Sequence, residues 1–460
     1  MTHIHTKIQP FIAPGRRVHL AGIGGVSMNP LAEVLHQMGL AVQGSDQSES
    51  PAVERLRHMG IHVAIGHNAD NIRGAEFLIR TAAIHDDNPE IAAAHDAGLP
   101  VFERAEAWGA IMQRYENAIC IAGTHGKTTT TAMTTHIFMA AQADPTVMIG
   151  GTLSMLHSGY RVGRGDTIIL ESCEYCNSFL HFFPTVAVVL NVEEDHLDFF
   201  TGGLPEIKES FRKFAELVPP DGRIVANADA PGAMDALRGL PLFTFGRSET
   251  ADCRAENLTW EHGRPEFDVV VDGRLYTHLA LHVAGEHNLS NALAAASAAY
   301  VLGIPGRAVK LGLEGFFGAG RRFECKGQCR GAKIYDDYAH HPAEIHALLE
   351  MTRSLGYDRV ICAFQPHTYS RTKELFDQFA EVLKLPDQVV LAEIFPARET
   401  DRLGMSSQKL ADHIPGAVCC ATLEETAQKL AELAQPGDLI LTVGAGDIVR
   451  AGELLLQMEA

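Results

Sequence analysis

The chain has 460 residues, 46% hydrophobic and 21% charged, the composition of an ordinary globular protein with length for about three domains. Its formal net charge of −19 argues against nucleic acid or an anionic membrane as the main partner. No apolar run approaches the ~18–20 residues of a membrane span, residues 1–15 lack the apolar core of a secretory leader, and nine cysteines in no regular framework suggest free thiols, so a cytoplasmic protein is expected.

Arg17–Ala21 reads as a first strand, and Gly22-Ile23-Gly24-Gly25-Val26-Ser27 as a turn into a helix over 29–38. The turn approximates GxGxxG, with Ser27 in the third glycine position. A second strand from Ala41 ends in Ser45-Asp46, about where a dinucleotide fold places its ribose-binding acid. The same geometry holds any diphosphate at a helix N-terminus. A further strand, Phe77–Arg80, releases Thr81-Ala82-Ala83-Ile84, small residues at a strand end where α/β folds bind ligands. This unit is expected to span residues 1–113.

The second unit, 114–319, opens with AICIAGTHGKTTTT. Residues 118–122 form a short apolar run read as a buried strand, Gly123-Thr124-His125-Gly126 a glycine loop, and Lys127 with Thr128 and Thr129 the opening of a helix. Free amides and a helix dipole at such a junction point at bound phosphate. Lys127 would reach β/γ-phosphates and Thr128 would offer a hydroxyl to Mg²⁺. The spacing is GxxGKT, with Ile121 where the usual pattern has its first glycine.

Two apolar strands follow, over 166–170 and 185–191, each releasing carboxylates: Glu171-Ser172-Cys173-Glu174 and Glu193-Glu194-Asp195-His196. That is the pattern expected beside a magnesium nucleotide, with Glu171 and His196 as ligands, although His196 alone could equally be a cap or core histidine. Cys173, Cys176, Cys325 and Cys329 could be imagined as zinc ligands, but the two pairs are far apart and Glu171 and Glu174 suit a hard cation better. An alanine-rich helix is expected over 284–302. It carries Asn288 and Asn291 three apart, on one face where a planar adenine could meet both.

The third unit, 320–460, begins at a glycine hinge with two arginines, GRRF, and alternates strand and helix: 332–336 then 343–354, Val360–Phe364 then 372–383, 389–394 then 407–413, and Leu439–Val443. That is a doubly wound α/β domain. Histidines, an arginine and a tyrosine crowd its strand ends, in DDYAHHP and QPHTYSRT, and suggest a substrate pocket.

Taken in order, GTHGKTTTT, ESCEYC, NVEEDHLD, GEHNLSNA, GRRF, DDYAHHP and FQPHTYSRT closely resemble the motifs of the Mur ligases over nearly the whole chain, and GIGGVSM fits as well. The resemblance implies three α/β domains: N-terminal Rossmann-like, central P-loop ATPase-type, and C-terminal Rossmann-like, binding UDP-substrate, ATP and amino acid respectively. It implies an ATP-dependent ligase that joins L-alanine to the carboxylate of UDP-N-acetylmuramate through an acyl phosphate, with Mg²⁺, as a monomer or homodimer. Lys127, His196 and Arg322 would be catalytic. Residues 123–129, Asn288, Asn291, Arg322 (to the γ-phosphate) and Asp337 (to the ribose) would hold ATP, with Thr128, Glu171 and His196 on the metal. Gly22, Gly24, Gly25, Ser27, Asp46 and Thr81 would bind the UDP-substrate, and Tyr338, His367 and Arg371 would face the amino acid.

Three positions depart from the family pattern. Cys173 stands where relatives commonly carry Asp, Thr368 where many carry Arg, and Phe211 near the spacing at which sister ligases place a carbamylated lysine. The competing readings are a relative that adds a whole tripeptide, an NAD(P)-dependent dehydrogenase built on GIGGVS, and a nucleotide-binding regulator. The first would accept a peptide in place of alanine; the second leaves the P-loop without a task.

Overall fold

A computed structural model describes residues 6–81, 84–197, 199–397, 399–401 and 403–458. Ala82 and Ala83 of the expected strand-end loop, and Asp198 of the DHLD run, lie outside the described residues. The chain divides into two compact units, Met1–Asn257 with Phe267–Leu279 and Leu289–Phe316, and Phe317–Ala460 with Leu258–Glu266 and Ala280–Asn288. Among the described residues no helix is long and apolar enough to cross a membrane.

The first unit holds one whole sheet and most of a second. One is wholly parallel, β1 (Arg17–Ala21), β2 (Ala41–Asp46), β3 (His62–Ile65), β4 (Phe77–Arg80) and β5 (Val101–Glu103) in the order β3-β2-β1-β4-β5. Its helices are α1 (Met28–Gln37), α2 (Pro51–His58), α3 (Pro89–Asp96) and α4 (Arg104–Met112). Helices cover both faces of such a sheet, so β1 and β4 read as near-continuous apolar runs. Ser50 and Asn88 start α2 and α3 as N-caps, each with proline just inside the helix.

Glu90, on α3, is fully buried and ties this sheet together. It accepts from Ser45 Oγ at 2.6 Å and Asn71 Nδ2 at 2.6 Å, and lies 3.1 Å from His19 Nε2 and 3.3 Å from His67 Nδ1. One carboxylate thus links β1, β2, the segment after β3 and α3.

The second sheet is built on β6 (Asn117–Ala122), followed by α5 (Lys127–Ala140), β7 (Thr146–Leu153), β8 (Ser158–Arg161), β9 (Thr167–Glu171) and β10 (Val186–Val189). After α6 (Leu204–Ala215) come β11 (Arg223–Asn227), α7 (Pro231–Ala236) and β12 (Leu242–Gly246). A meander, β13 (Cys253–Glu261), β14 (Arg264–Val271) and β15 (Arg274–Ala280), ends the sheet, and α8 (Glu286–Val301) and α9 (Gly306–Glu314) follow. The order is β15-β14-β13-β12-β11-β10-β6-β9-β7-β8. β9 and β10 flank β6 in parallel, in registers that pair Ile121 with Glu171 and Ala122 with Val189. The carboxyl ends of three neighbouring strands therefore open on one side, where ligands bind in open α/β sheets.

In the second unit β16 (Glu324–Cys329) pairs antiparallel with β17 (Ala332–Asp337), and the rest of the sheet is parallel: β18 (Val360–Phe364), β19 (Gln388–Ala392), β20 (Val418–Cys420) and β21 (Leu439–Val443), in the order β16-β17-β21-β18-β19-β20. Its helices are α10 (Pro342–Arg353), α11 (Tyr369–Glu374), α12 (Phe376–Val382), α13 (Ser407–Ala411), α14 (Leu423–Leu433) and α15 (Val449–Gln457). The helix expected over 372–383 is two helices. Leu375, at φ −103° and ψ 19°, leaves the helical region between them, and the first starts earlier, capped by the Thr368 hydroxyl.

Burial alone would raise the Glu90 pKa, but the His19, Ser45 and Asn71 hydrogen bonds outweigh it and bring it from 4.5 to about 2. A depressed carboxylate stabilises the fold fully above its ordinary pKa, and that contribution is lost as pH falls toward the folded value. Glu90→Gln is therefore expected to cost about 3 kcal/mol at pH 7, with the gap to wild type closing between about pH 4.5 and pH 2. Thermal melts across that range check it; curves that stay parallel would contradict the assignment.

Candidate active site

Gly123 and Gly126 make the loop after β6 possible. A Cβ at Gly123 would come within 2.9 Å of Leu190 Cβ, and Gly126, at φ +84°, is in the left-handed region, where a Cβ would meet Asn291 Oδ1 at 2.6 Å. The loop is bracketed by Asn191 at the end of β10: the His125 amide donates to Asn191 Oδ1 at 2.8 Å, and Asn191 Nδ2 donates to the His125 carbonyl at 3.1 Å. Thr124 Oγ1 accepts from the Glu193 amide at 2.9 Å. The threonine-rich start of α5 is also satisfied internally. Thr131, Thr134 and Thr135 bond back to carbonyls four residues earlier, and Thr130 Oγ1 donates to Asn291 Oδ1 at 3.1 Å.

Lys127 Nζ, almost buried, donates to Gly123 O at 2.5 Å and Thr124 O at 3.1 Å and lies 3.1 and 3.0 Å from the two oxygens of Glu174. Burial opposes its charge, but Glu174 foremost, with Glu171 behind it, raises the ammonium's pKa overall. Thr128 Oγ1 donates to Glu171 Oε1 at 3.1 Å, and the other Glu171 oxygen accepts from the Gly150 amide at 2.7 Å. Lysine, threonine and both acids of ESCE thus share one cluster at the sheet edge.

The expected metal ligands are found in two groupings. Thr128 and Glu171 stand together, but His196 is grouped with Glu174 and Asp195, its Nε2 at 3.8 Å from Glu174 Oε1. One ligand atom from each of those three residues lies within 4.8 Å of the other two. Two carboxylates and an imidazole fit a divalent cation. Glu174 and Asp195 are among the strand-end carboxylates expected beside a magnesium nucleotide, but neither is named as a ligand from the sequence. Glu174 stays in the cluster because the chain bends sharply after it, with Cys176 and Asn177 at positive φ. The substituted Cys173 is exposed, and Glu171 keeps both of its partners. Phe211, at the lysine spacing, is fully buried against the Phe179 ring.

Asn291 is buried on α8 and its side-chain oxygen serves Thr130. Asn288 donates from Nδ2 to Ala284 O at 2.7 Å. At the N-terminal glycine turn, the Gly22 and Ile23 amides donate to Ser45 O, both at 2.9 Å, and the Gly24 amide to Asp46 Oδ2 at 2.9 Å. Asp46 is therefore a brace of the turn, with one oxygen already committed. Ser27 precedes α1 without a side-chain cap bond, and the Thr81 methyl lies 3.8 Å from where a Gly22 Cβ would be.

In the second unit Arg321, at φ +58°, fastens the GRRF segment: its guanidinium donates to Asp336 Oδ2 at 2.9 Å, Gly446 O at 2.8 Å and Gly444 O at 2.6 Å. Asp337 accepts from the Phe323 and Ala339 amides at 2.7 and 2.8 Å, and burial pushes its pKa up to about 6 against the pull of Arg322. The expected ribose acid thus braces its own linker. The Tyr338 ring lies beneath both guanidiniums, 4.9 Å from Arg321 and 5.4 Å from Arg322. His340 faces Tyr338 at 5.6 Å and His367 at 6.0 Å, a neighbour the motif contained without marking it. Burial, then His340 and Arg371, push the His367 pKa down to about 4, so it is neutral at pH 7. Thr368 spends its hydroxyl on the Arg371 amide.

A phosphate-binding loop with a buried lysine and acids on the adjoining strand ends is the apparatus of nucleotide-dependent phosphoryl transfer. Profiles of three domains match in order: Mur ligase family, catalytic domain, over residues 17–116; Mur ligase middle domain over 121–299; and Mur ligase, glutamate ligase domain, over 321–446. The chain is 43% identical to a UDP-N-acetylmuramate–L-alanine ligase of Clostridium novyi, over 96% of this chain and 97% of that one. It superposes on the UDP-N-acetylmuramate-alanine ligase of Thermotoga maritima with a TM-score of 0.81 at 29% identity, covering 96% and 98% of the two chains. A murein peptide ligase of Psychrobacter arcticus shares the fold, at TM-score 0.71, 22% identity and 96% and 98% coverage. The chain belongs to the Mur ligase family, an assignment that leaves the dehydrogenase reading of its glycine turn without support.

Gly126→Ala is expected to leave the fold intact but weaken nucleotide binding at least about tenfold, because an alanine at φ +84° is strained and its methyl must displace the Asn291 side chain. Calorimetric titration with a non-hydrolysable ATP analogue checks this; unchanged affinity would count against the loop.

Proposed function

We infer that this chain is an ATP-dependent ligase that joins L-alanine to the carboxylate of UDP-N-acetylmuramate, in peptidoglycan precursor synthesis in the cytoplasm. The observation that carries the reading is its 43% identity, over 96% of its length, to a relative of that name. The cluster around Lys127 supplies the chemistry the reading needs. UDP-N-acetylmuramate, ATP and L-alanine are its proposed small-molecule partners.

A carboxylate is a poor electrophile. One of its oxygens attacks the γ-phosphorus of ATP, the bond to the bridging oxygen breaks, and ADP leaves an acyl phosphate behind. The amine of alanine then attacks the acyl carbon, phosphate departs with the bonding pair, and one amine proton goes to a base, His196 or a histidine of the third domain. Lys127 binds phosphoryl oxygens and neutralises the charge spread over them, a task assigned also to Arg322. Thr128, Glu171, Glu174, Asp195 and His196 would hold Mg²⁺, which supplies further charge neutralisation when bound. Gly22, Gly24, Gly25, Ser27, Asp46 and Thr81 are assigned to the sugar nucleotide, Asn288, Asn291 and Asp337 to the nucleoside of ATP, and Tyr338, His367 and Arg371 to the amino acid. The three domains are placed at 1–113, 114–319 and 320–460.

Phosphate release is expected only when ATP, UDP-N-acetylmuramate and L-alanine are all present. Equal turnover with a tripeptide in place of alanine would transfer the chain to the recycling branch of the family. Lys127→Ala is expected to lower turnover by about a hundredfold or more with the protein still folded. Arg322→Ala should reduce kcat more than nucleotide affinity, and equal loss of both would contradict a transition-state role.

A further inference from the structure

Four acceptor atoms surround Lys127 Nζ: the carbonyls of Gly123 and Thr124 and both oxygens of Glu174. An ammonium has three N–H groups, so all of them are engaged by the protein itself. The two carbonyls are fixed by the loop. Glu174 is the partner that can be exchanged, and it is the charged one.

If Lys127 turns to a triphosphate, Glu174 is left as a carboxylate with 3% of its side chain exposed, facing an incoming polyanion. A buried anion without a counter-charge is costly. The groups beside it are the His196 imidazole at 3.8 Å and, through the same three-residue group, Asp195. His196 and Asp195 cannot replace the lysine unaided: one is neutral when unprotonated and the other repels. The cluster becomes balanced when a divalent cation joins it.

We propose that Glu174 is a positioning residue that couples nucleotide to metal: it competes with the triphosphate for Lys127, and a divalent cation ends the competition by taking Glu174. Each ligand then strengthens the other by the same factor, as linkage requires. Nucleotide that arrives without a cation meets an occupied lysine. Glu171 is not a direct partner of the ammonium, because its hydrogen bonds go to Thr128 and Gly150. The proposal rests on the ATP site described above.

The test is the affinity of the whole chain for a non-hydrolysable ATP analogue, by calorimetry, in EDTA and in Mg²⁺. Glu174→Gln keeps the shape and removes the charge. It is expected to bind the analogue in EDTA about tenfold or more tightly than wild type, and to narrow the ratio of the two affinities by at least that factor. Glu171→Gln, which removes a charge that does not touch the ammonium, should tighten binding in EDTA less than Glu174→Gln does. The reciprocal measurement uses Mn²⁺ alone: Lys127→Met frees Glu174 and should bind Mn²⁺ about tenfold or more tightly than wild type without nucleotide. Unchanged or weaker analogue binding by Glu174→Gln in EDTA overturns the coupling, as does unchanged Mn²⁺ binding by Lys127→Met should Glu174→Gln fail to fold. Loss of analogue binding in wild type under both conditions would remove the ATP site along with the proposal.

Discussion

A buried ammonium at the carboxyl end of β6 is the constraint on which the rest of the central domain depends. Lys127 carries a full charge in a nearly closed space, which is tolerable only with carboxylate and carbonyl oxygens on all sides. The parallel register of β6, β9 and β10 places those oxygens within reach. The bend after Glu174, the Asn191 bracket and the glycines of the loop follow from the same need to converge on one atom.

The first domain solves a related problem differently. Its sheet is held by a buried carboxylate, Glu90, met by hydroxyl, amide and imidazole groups instead of a permanent cation. The third domain uses a permanent cation again, since Arg321 binds Asp336 and two glycine carbonyls near its sheet edge. Each sheet thus has one anchored charge close to the strand ends where ligands are expected.

Much of this is legible in the sequence wherever a short, mostly apolar run ends at a loop of small or polar residues. Arg17–Ala21, Phe77–Arg80, Val360–Phe364 and Leu439–Val443 are readable to the residue, because strands buried on both faces carry near-continuous apolar runs. The meander β13 to β15 was not, since its residues mix exposed and buried positions and include Arg, Glu and Asn throughout. The helix split at Leu375 has no proline or glycine to announce it. In the site, Lys127, Thr128 and Glu171 are assigned from the sequence, and Glu174 is legible as a carboxylate suited to a hard cation, but its pairing with Lys127 is not. The chain kinks just beyond it, at Cys176 and Asn177, both at positive φ, and only Asn177 of the two is a residue that favours such a conformation. Asp46, Asp337 and Asn291 were found as acids and amides in suggestive places. Only the folded chain reveals that each also fastens backbone or a neighbouring hydroxyl.

The brace between Asp46 and the Gly24 amide has one further consequence. A carboxylate already rests where a nitrogen of the glycine turn reaches out, so the curve of the turn is set by the polypeptide alone. A ligand bound at the turn would meet a cradle that is shaped beforehand, and its binding would not spend free energy on folding the loop. Selectivity there would rest on fit to a preformed mould and not on the power to induce one.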